Sequence, residues 1–280
     1  MKSSYTDFMR FRFLRFILLF ILLAGVAGIV VEYRPSLSSL RPSPTTSSTR
    51  TGSGSASATW VKVDEGAERA QFTFAEATSS DIILYRFEPA YYRLRFAHHL
   101  PPLTVAAWAS ELPEARLLVN GVYFHEDNFP SGILITSGTR IGARQFDKDK
   151  SGVILLDGKP ALLKSGLDPK AMNVWHEAAQ SFPFLIWNGA AAVTTDTQKL
   201  ARRTMIGTDK EGRVYLGVLP FSSLSLYGLS HALMTLPIRW QSVLNLDGGP
   251  STGLMSRLGG YSEMINSYGA VPNVLVVERR

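Results

Sequence analysis

The sequence of 280 residues contains no cysteine. Disulfide bonds, thiolate metal ligands, a thiol nucleophile and a bacterial lipoprotein anchor are therefore excluded. Histidine is scarce as well: the five histidines form no i, i+4 pair and no H-E-x-x-H motif, so the sequence does not indicate a helix-borne zinc site. A Walker loop is also missing, which removes the usual signature of a nucleotide phosphate site.

Excess charge is missing from most of the chain, although the net charge is +6. Residues 1–58 hold seven of the 29 basic residues and two of the 23 acidic ones, so the remaining chain is close to neutral. Nucleic-acid-binding domains carry their basic residues on the folded part. We therefore expect no nucleic-acid partner.

One long stretch near the N-terminus lacks charge altogether. Phe16–Val31 has the sequence FILLFILLAGVAGIVV and follows three arginines. A basic start before an apolar run predicts a cytoplasmic N-terminus at 1–15 and a single-pass signal anchor at 16–33, with the rest of the chain outside the cytoplasmic membrane. The alternative is a cleaved signal peptide and a secreted protein, because Gly25–Ala27 supplies small residues at a suitable position.

Large apolar residues nearly vanish between residues 34 and 59, where Ser, Thr, Pro and Gly dominate. Such a composition cannot bury enough apolar surface to fold by itself. We predict a disordered tether at 34–59 and one folded domain at 60–280.

From Trp60 onward, short apolar runs alternate with turn residues, which is typical of β-strands. The stretch 202–219 predicts a hairpin with its turn at TDKEG, and two stretches, 103–112 and 225–236, show helical spacing of apolar residues. Strands outnumber helices and do not alternate with them. The expected fold class is therefore α+β: a single mixed, strand-rich domain with a few helices, preceded by an N-terminal transmembrane or signal helix.

The stretch DKDKSG at 147–152 begins like a calcium-binding loop. Its twelfth position, which requires a bidentate Glu, is Gly158, and two lysines lie among the acidic residues. The pattern therefore favours a hairpin turn over a metal site.

The stretch NLDGGPSTG at 245–253 places an acidic residue at the end of an apolar strand. Asp247 would be held rigidly at the edge of the sheet. Gly248–Gly249 lets the backbone turn and lets a ligand approach the amides closely, and Ser251 and Thr252 offer hydroxyl groups to phosphate or sugar oxygens. From these residues alone, a binding site and a simple tight turn are both open.

Seven stretches resemble the phosphodiester glycosidase domain family in order and in character. The resemblance covers roughly residues 80–280, and its most specific pieces are RRTMIG and NLDGGPST. Where the family usually has a glycine and two serines, this chain has Pro250, Ser251 and Thr252, which fits a bacterial exported subgroup and removes one amide donor. The stretches are VNGVYF, PSGILITSG, QSFPFLIWNG, RRTMIGTDKEGRVYLGV, LSLYGLSHALM, SVLNLDGGPSTGL and VPNVLVV.

The resemblance implies a hydrolase that cleaves a sugar-1-phosphodiester at the anomeric carbon. Arg203 would hold the phosphate with its planar guanidinium, and Arg202 is the weaker candidate for that role. Asp247 would act at the anomeric carbon as base, nucleophile or charge stabiliser. The predicted substrate contacts are Asn120, Asn245, Gly248, Gly249, Ser251, Thr252 and Asn273.

The sequence names no certain cofactor, and it leaves a divalent cation open because Asp247 together with a phosphate could recruit one. The expected partners are a phosphoglycan or sugar-1-phosphodiester substrate of the cell envelope or an exopolysaccharide, and the membrane through the N-terminal helix. Two alternatives remain. One is a non-catalytic module that binds phosphoglycans, and the other is a metal-dependent phosphoesterase that cuts the P–O bond on the far side of phosphorus.

Overall fold

The computed structural model describes residues 59–74, 81–143, 145–167 and 173–280. The predicted signal anchor and nearly all of the predicted tether lie outside these residues. Within the described ranges, no helix is both long enough and apolar enough to cross a membrane.

Strands dominate the described residues, and only two α-helices accompany them, so the strand-rich mixed domain expected from the sequence is confirmed. The strands, numbered along the chain, are β1 (Val61–Asp64), β2 (Ala67–Thr73), β3 (Asp81–Phe87), β4 (Tyr92–Leu103), β5 (Leu117–Asn120), β6 (Ile133–Thr136), β7 (Thr139–Gly142), β8 (Gly152–Leu155), β9 (Ala161–Lys164), β10 (Ala178–Ser181), β11 (Phe184–Trp187), β12 (Ala190–Ala191), β13 (Ala201–Asp209), β14 (Val214–Leu224), β15 (Trp240–Asn245), β16 (Leu254–Leu258), β17 (Tyr261–Ile265) and β18 (Val271–Arg279). The helices are α1 (Val105–Glu111) and α2 (Leu226–Met234), and Gly249–Ser251 forms a short 3-10 turn.

Three antiparallel sheets contain these strands. The large sheet has the order β1-β2-β3-β14-β13-β15-β11-β12, the small sheet has the order β17-β16-β5-β18-β4, and the flanking sheet has the order β7-β6-β10-β8-β9. Neighbouring strands in the sheets are often far apart in sequence: β5 at residues 117–120, for example, lies between β16 and β18. The fold therefore brings distant segments together at the strand ends.

The main core lies between the large and the small sheet. Alternate side chains of β14, among them Leu216 and Val218, face Val119 and Leu275 of the small sheet in one apolar cluster. Each of these four side chains is fully buried, and such burial contributes about 1.5–3 kcal/mol per side chain relative to exposure. The flanking sheet adds Ile154 and its neighbours to the same cluster.

Each helix covers the outer face of one sheet. Thr104 caps α1 by accepting a hydrogen bond from the Ala107 amide at 3.2 Å, and Trp108 of α1 donates its indole N–H to the Val271 carbonyl of the small sheet at 2.9 Å. Ser225 caps α2 in the same way, and its leucines pack against the outer face of the large sheet. Both predicted helices and the apolar stripe of α2 are confirmed.

The two predicted turns differ in outcome. β13 and β14 pair along their length, so the hairpin at 202–219 is confirmed. The hairpin predicted at DKDKSG is wrong, because β6 and β10 separate β7 from β8 in the flanking sheet. The segment turns there, with the Lys150 amide bonded to the Asp147 carbonyl at 3.1 Å, and Gln180 holds it through both directions of a bond with Asp147.

Candidate active site

The large and the small sheet form a sandwich around the main core. Polar side chains from these two sheets meet at one end of it. β5 and β15 end there with Asn120 and Asn245, while β18 begins there with Asn273 at its third position. β13 begins at the same end with Arg202 and Arg203 as its second and third residues. The loop from 246 to 253 then carries the chain from the large sheet to the small one. The pairing of these strands therefore brings the asparagines and arginines that were predicted from the sequence to the same place.

The backbone of Asp247 is fixed to the small sheet by two hydrogen bonds. Its amide donates to the Gly121 carbonyl at 3.2 Å, and its carbonyl accepts from the side-chain amide of Asn120 at 2.7 Å. The Asp247 carboxylate, which is partly buried, accepts the Gly248 amide at 2.8 Å. These bonds set the position of the carboxylate before any ligand arrives.

Burial raises the pKa of Asp247, and two hydrogen bonds, from the Ser251 hydroxyl and the Gly248 amide, oppose that rise. No positively charged side chain lies within ion-pair distance of Asp247 among the described residues. Only these two neutral hydrogen-bond donors therefore stabilise the ionised carboxylate of Asp247. Such a carboxylate is available to respond to positive charge that develops on a substrate.

The glycines of the loop have different reasons for being there. A Cβ on Gly248 would lie 2.8 Å from the carbonyl oxygen of Arg202, so only glycine lets the loop lie directly on β13. Gly249 has φ of +60°, in the left-handed region that favours glycine. The two glycines let Asp247 sit beside the start of β13.

Arg203 is a buried cation that has no carboxylate partner among the described residues. The residue is 8% exposed, and one terminal N–H donates to the Lys199 carbonyl at 2.7 Å. Within the part of the chain that the structure describes, the buried Nε has no partner. Burial lowers the pKa of Arg203, while the nearby phenol of Tyr123 opposes that shift. An unpaired, partly satisfied guanidinium of this kind is suited to an anionic group of a ligand.

Tyr123 is close enough to both Asp247 and Arg203 for their charges to shift its pKa, and it is not among the site residues predicted from the sequence. Its hydroxyl bonds the Asn245 side-chain amide at 2.6 Å, and its ring packs 4.8 Å from that of Phe182. Burial and the charge of Asp247 raise the pKa of Tyr123, and Arg203 opposes the rise. Because VNGVYF was already one of the resembling stretches, its tyrosine was the signal that could have found it.

Arg202 lies beside Arg203 but makes different contacts. It donates to the carbonyls of Pro220 at 2.9 Å and Asn266 at 3.2 Å, and its Nη1 is buried without a partner. The exposed ring of Tyr268 covers its guanidinium, 4.1 Å from Cζ to the ring centre. The loop that contains Asn266 and Tyr268 was also missed, although its NSYG composition is typical of a turn.

The three predicted asparagines are buried, and each is held by hydrogen bonds to neighbouring backbone and side-chain groups. Asn120 accepts from the Thr204 hydroxyl at 2.6 Å and the Gly253 amide at 3.2 Å, while Asn273 forms a two-way bond with the backbone of Val122. Asn245 donates to three oxygens, and its own Oδ1 is buried without a partner. These contacts position the loop and Tyr123, and substrate contact by the asparagines stays a prediction.

The two hydroxyl residues face different neighbours. The Ser251 hydroxyl bonds the Asp247 carboxylate, whereas Thr252 is fully buried with its hydroxyl oxygen 3.3 Å from that of Thr204. Residues 249–253 also spell G-x-S-x-G, the spacing of a nucleophile elbow. An elbow leads from a strand into a helix, but here strand β16 follows, and no described histidine bonds Ser251, so the serine acts as a partner of Asp247.

The described residues contain no group of three His, Asp or Glu side chains placed to hold a metal ion. A cation at this site would therefore have Asp247 and ligand oxygens as its contacts. That donor set is weak beside the clusters of carboxylates and imidazoles that usually bind divalent metals in proteins.

Comparison with known proteins gives one family and a shared fold. A family model described as phosphodiester glycosidase matches residues 114–278, a range that includes every residue of the site described above. A search of curated proteins gives no match.

Two solved structures share the fold. A hypothetical protein from Synechocystis aligns with a TM-score of 0.59 at 15% identity, over 80% of this chain and 64% of that one, so this chain spans less than two thirds of its length. The catalytic domain of zebrafish N-acetylglucosamine-1-phosphodiester alpha-N-acetylglucosaminidase, in a form auto-inhibited by its pro-peptide, aligns with a TM-score of 0.58 at 14% identity, over 82% of this chain and 86% of that one.

Proposed function

Because this chain belongs to the phosphodiester glycosidase family, we propose that it hydrolyses a sugar-1-phosphodiester at the anomeric carbon. The C1–O bond breaks, the hydroxyl of water joins C1, and the remaining proton of water goes to the phosphate. The products are a reducing sugar and a phosphate monoester. The zebrafish enzyme, an N-acetylglucosamine-1-phosphodiester alpha-N-acetylglucosaminidase with the same fold, supports this class of substrate.

The observation that carries the proposal is a pair of unmatched charges. Asp247 and Arg203 lie at the same end of the sandwich. The charge of Asp247 raises the pKa of Tyr123, and the charge of Arg203 lowers it. The two charged residues form no ion pair with each other. A substrate with an anionic phosphate and an anomeric carbon that becomes positive in the transition state would satisfy both charges at once.

The roles follow from this arrangement. Arg203 holds the phosphate and stabilises it as it leaves, so a strong general acid matters less than for an ordinary glycoside. Asp247 acts at the anomeric carbon as base, nucleophile or charge stabiliser, and Ser251 and Gly248 hold its carboxylate for that role. Tyr123 holds the side chain of Asn245 through its hydroxyl at 2.6 Å, beside these two charges.

Two rival functions would use the same residues and differ in their products. The glycosidase releases free reducing sugar, the phosphoesterase releases sugar phosphate, and the binding module releases neither. The test incubates the full-length protein with the methyl diester of N-acetylglucosamine-1-phosphate, with and without EDTA, and identifies the products by mass spectrometry. Reducing sugar that forms in EDTA supports the proposal. Sugar phosphate whose release stops in EDTA would establish the phosphoesterase instead.

The proposal extends to location and to the natural substrate class. We place the domain on the extracytoplasmic side of the membrane, where it acts on phosphodiester-linked sugars of the cell envelope or an exopolysaccharide. The support is the uncharged run Phe16–Val31 after a basic start. Secretion after cleavage near Gly25–Ala27 is the alternative.

A further inference from the structure

Tyr268 is an aromatic side chain left almost wholly in water at the rim of the site. It is 79% exposed, and it belongs to the loop Asn266–Gly269 that joins β17 to β18. Large aromatic side chains bury 150–250 Å² when they pack, and this area is lost to the core when a ring stays outside. An exposed ring beside a proposed glycan site therefore calls for a ligand-based explanation.

The loop that presents Tyr268 is fixed from two sides. The amides of Tyr268 and Gly269 both donate to the carbonyl of Pro250, at 2.8 and 3.1 Å, which attaches the loop to the turn that follows Asp247. The side chains of Asn266 and Ser267 accept the first amides of α1, at 3.0 and 3.1 Å. The backbone under the exposed ring is thus held firmly in place.

A buried cation supports the inner face of the ring. Arg202 is 4% exposed, and its Cζ lies 4.1 Å from the centre of the Tyr268 ring. Two bonds, to Pro220 and to Asn266, lock the guanidinium in that place. Cation–π contact therefore fixes the orientation of the ring and leaves its outer face to water.

We propose that the outer face of Tyr268 is a platform on which a pyranose ring of the substrate stacks. A pyranose presents C–H groups on one face, and a flat aromatic ring removes that apolar face from water while the sugar hydroxyls stay solvated. Arg202 under the platform directly precedes Arg203, and its carbonyl oxygen would lie 2.8 Å from a Cβ on Gly248, so a sugar on Tyr268 borders the reacting centre. This inference rests on the proposed function, because it assigns the platform to the same substrate.

The test separates the ring from its hydroxyl and from the fold. Tyr268→Ala removes the ring, and Tyr268→Phe keeps it. Tyr261→Ala is the matched control, because Tyr261 is also exposed and also has a guanidinium, that of Arg69, over its ring at 5.5 Å. Binding of the methyl diester of N-acetylglucosamine-1-phosphate, and of methyl phosphate alone, is measured by calorimetry on the full-length wild type and the three variants, each with Asp247→Asn added so that the diester is not hydrolysed during the titration.

We expect Tyr268→Ala to raise the Kd of the diester about five- to tenfold, the scale of one aromatic contact. Tyr268→Phe and Tyr261→Ala should bind the diester like the wild type, and methyl phosphate should bind all four proteins equally. An unchanged Kd for Tyr268→Ala overturns the proposal. Equal losses in Tyr268→Phe and Tyr268→Ala, or weaker methyl phosphate binding by Tyr268→Ala, overturn it too.

Calorimetry needs no turnover, so the two proposals fail separately. If the wild type binds the diester but releases no sugar, and Tyr268→Ala binds it more weakly, the hydrolase proposal falls and the platform stands. If the wild type releases sugar and Tyr268→Ala binds normally, only the platform falls. A wild type that neither binds nor cleaves the diester overturns both.

Discussion

At the scale of single residues, Asp247 and Arg203 are charges removed from bulk water without an opposite charge to offset the loss. Moving an ion out of water costs several kcal/mol even after the protein relaxes. Hydrogen bonds return part of that cost: Asp247 accepts the Gly248 amide, and Arg203 donates to the Lys199 carbonyl. The part of the desolvation cost that these bonds do not offset lowers the stability of the fold at this site. Charged groups kept in such an environment are often functional.

The first prediction concerns the charge of Asp247. Asp247→Asn keeps the shape and removes the charge, so kcat should fall by about 10²-fold or more. The matched control is Asp149→Asn, because Asp149 is exposed in a turn of the flanking sheet. Full turnover per folded molecule in Asp247→Asn would place the reacting centre elsewhere.

The raised pKa of Asp247 fixes how its effects depend on pH. If the ionised form is active, kcat/KM rises with pH through a pKa above the ordinary value for aspartate. For stability the sign is opposite: the folded state holds the proton more tightly, so stability falls as pH rises from the unfolded pKa to the folded one. Asp247→Asn should therefore melt at the same temperature or higher at neutral pH, and calorimetric melts at two pH values check this.

The second prediction concerns the shape of the Arg203 cation. Arg203→Lys keeps a positive charge but loses the planar fork that bonds two phosphate oxygens. We expect kcat/KM for the diester to fall by about 10- to 100-fold, equivalent to one or two lost charge-assisted hydrogen bonds. The control is Arg239→Lys, because Arg239 is an exposed arginine on an ordinary surface ion pair. Equal activity of Arg203→Lys and wild type would contradict a bidentate role.

At the scale of elements, one asparagine joins three segments around the site. The Asn120 side chain bonds Thr204 of β13, the carbonyl of Asp247 and the amide of Gly253. Its own backbone ends β5. The position of the carboxylate therefore depends on contacts between elements and not on the local loop sequence.

The third prediction tests that junction. Asn120→Ala leaves three buried groups without their partner, and each buried unsatisfied group costs about 1–3 kcal/mol. We expect a loss of about 2–5 kcal/mol in the free energy of unfolding, measured by urea titration, together with a lower kcat in the fraction that stays folded. A large loss of stability with an unchanged kcat would mean that Asp247 keeps its position without Asn120.

The elements could be predicted from the sequence because their signals are local. Thr104 and Ser225 cap the two helices, and apolar spacing defines the runs that follow them. The site could be predicted only in part, because its contacts span long sequence separations: Asn120 and Asp247 are 127 residues apart, and Asn120 and Thr204 are 84 apart. The resembling stretches supplied Asp247 and Arg203 and also contain Tyr123, whereas Tyr268 lies outside all of them and its place beside Arg202 follows only from the three-dimensional structure.

The wrong hairpin at DKDKSG has the same cause. A turn sequence gives the place where the chain reverses, but it does not say which strand pairs with the next one. In the flanking sheet β8 pairs with β10, which comes more than twenty residues later. The order of strands in a sheet depends on which apolar faces become buried across the whole domain. A local sequence pattern therefore could not predict it.

At the scale of the whole molecule, the fourth prediction sets the boundary of the folded domain. Deleting residues 1–58 should give a soluble protein that unfolds cooperatively, because residues 34–58 have too few large apolar side chains to contribute to a core. Deleting residues 1–60 instead removes Trp60, whose ring packs on Phe72 and Tyr215 with Arg86 over it. The second truncation should melt several degrees lower. Equal melting temperatures would move the boundary beyond Trp60.

The fifth prediction concerns location. If 16–33 anchors the chain with its domain outside, protease added to spheroplasts of an expressing bacterium should degrade the domain while a cytosolic marker survives. The matched variant replaces Arg10, Arg12 and Arg15 with Glu, which removes the basic start and should reduce the protease-sensitive fraction. Protection of the domain equal to that of the marker contradicts the proposed side of the membrane.

The loop from 246 to 253 has a consequence for how the protein loses activity. It is a covalent strap between the two faces of the sandwich, with Leu246 in the shared core at one end and Leu254 at the other. Asp247 therefore keeps its position relative to Arg203 only while the large and the small sheet stay packed against each other. Loss of activity on heating should therefore follow the same curve as cooperative unfolding of the core. The remaining activity then reports the fraction of molecules in which the two sheets are still packed together.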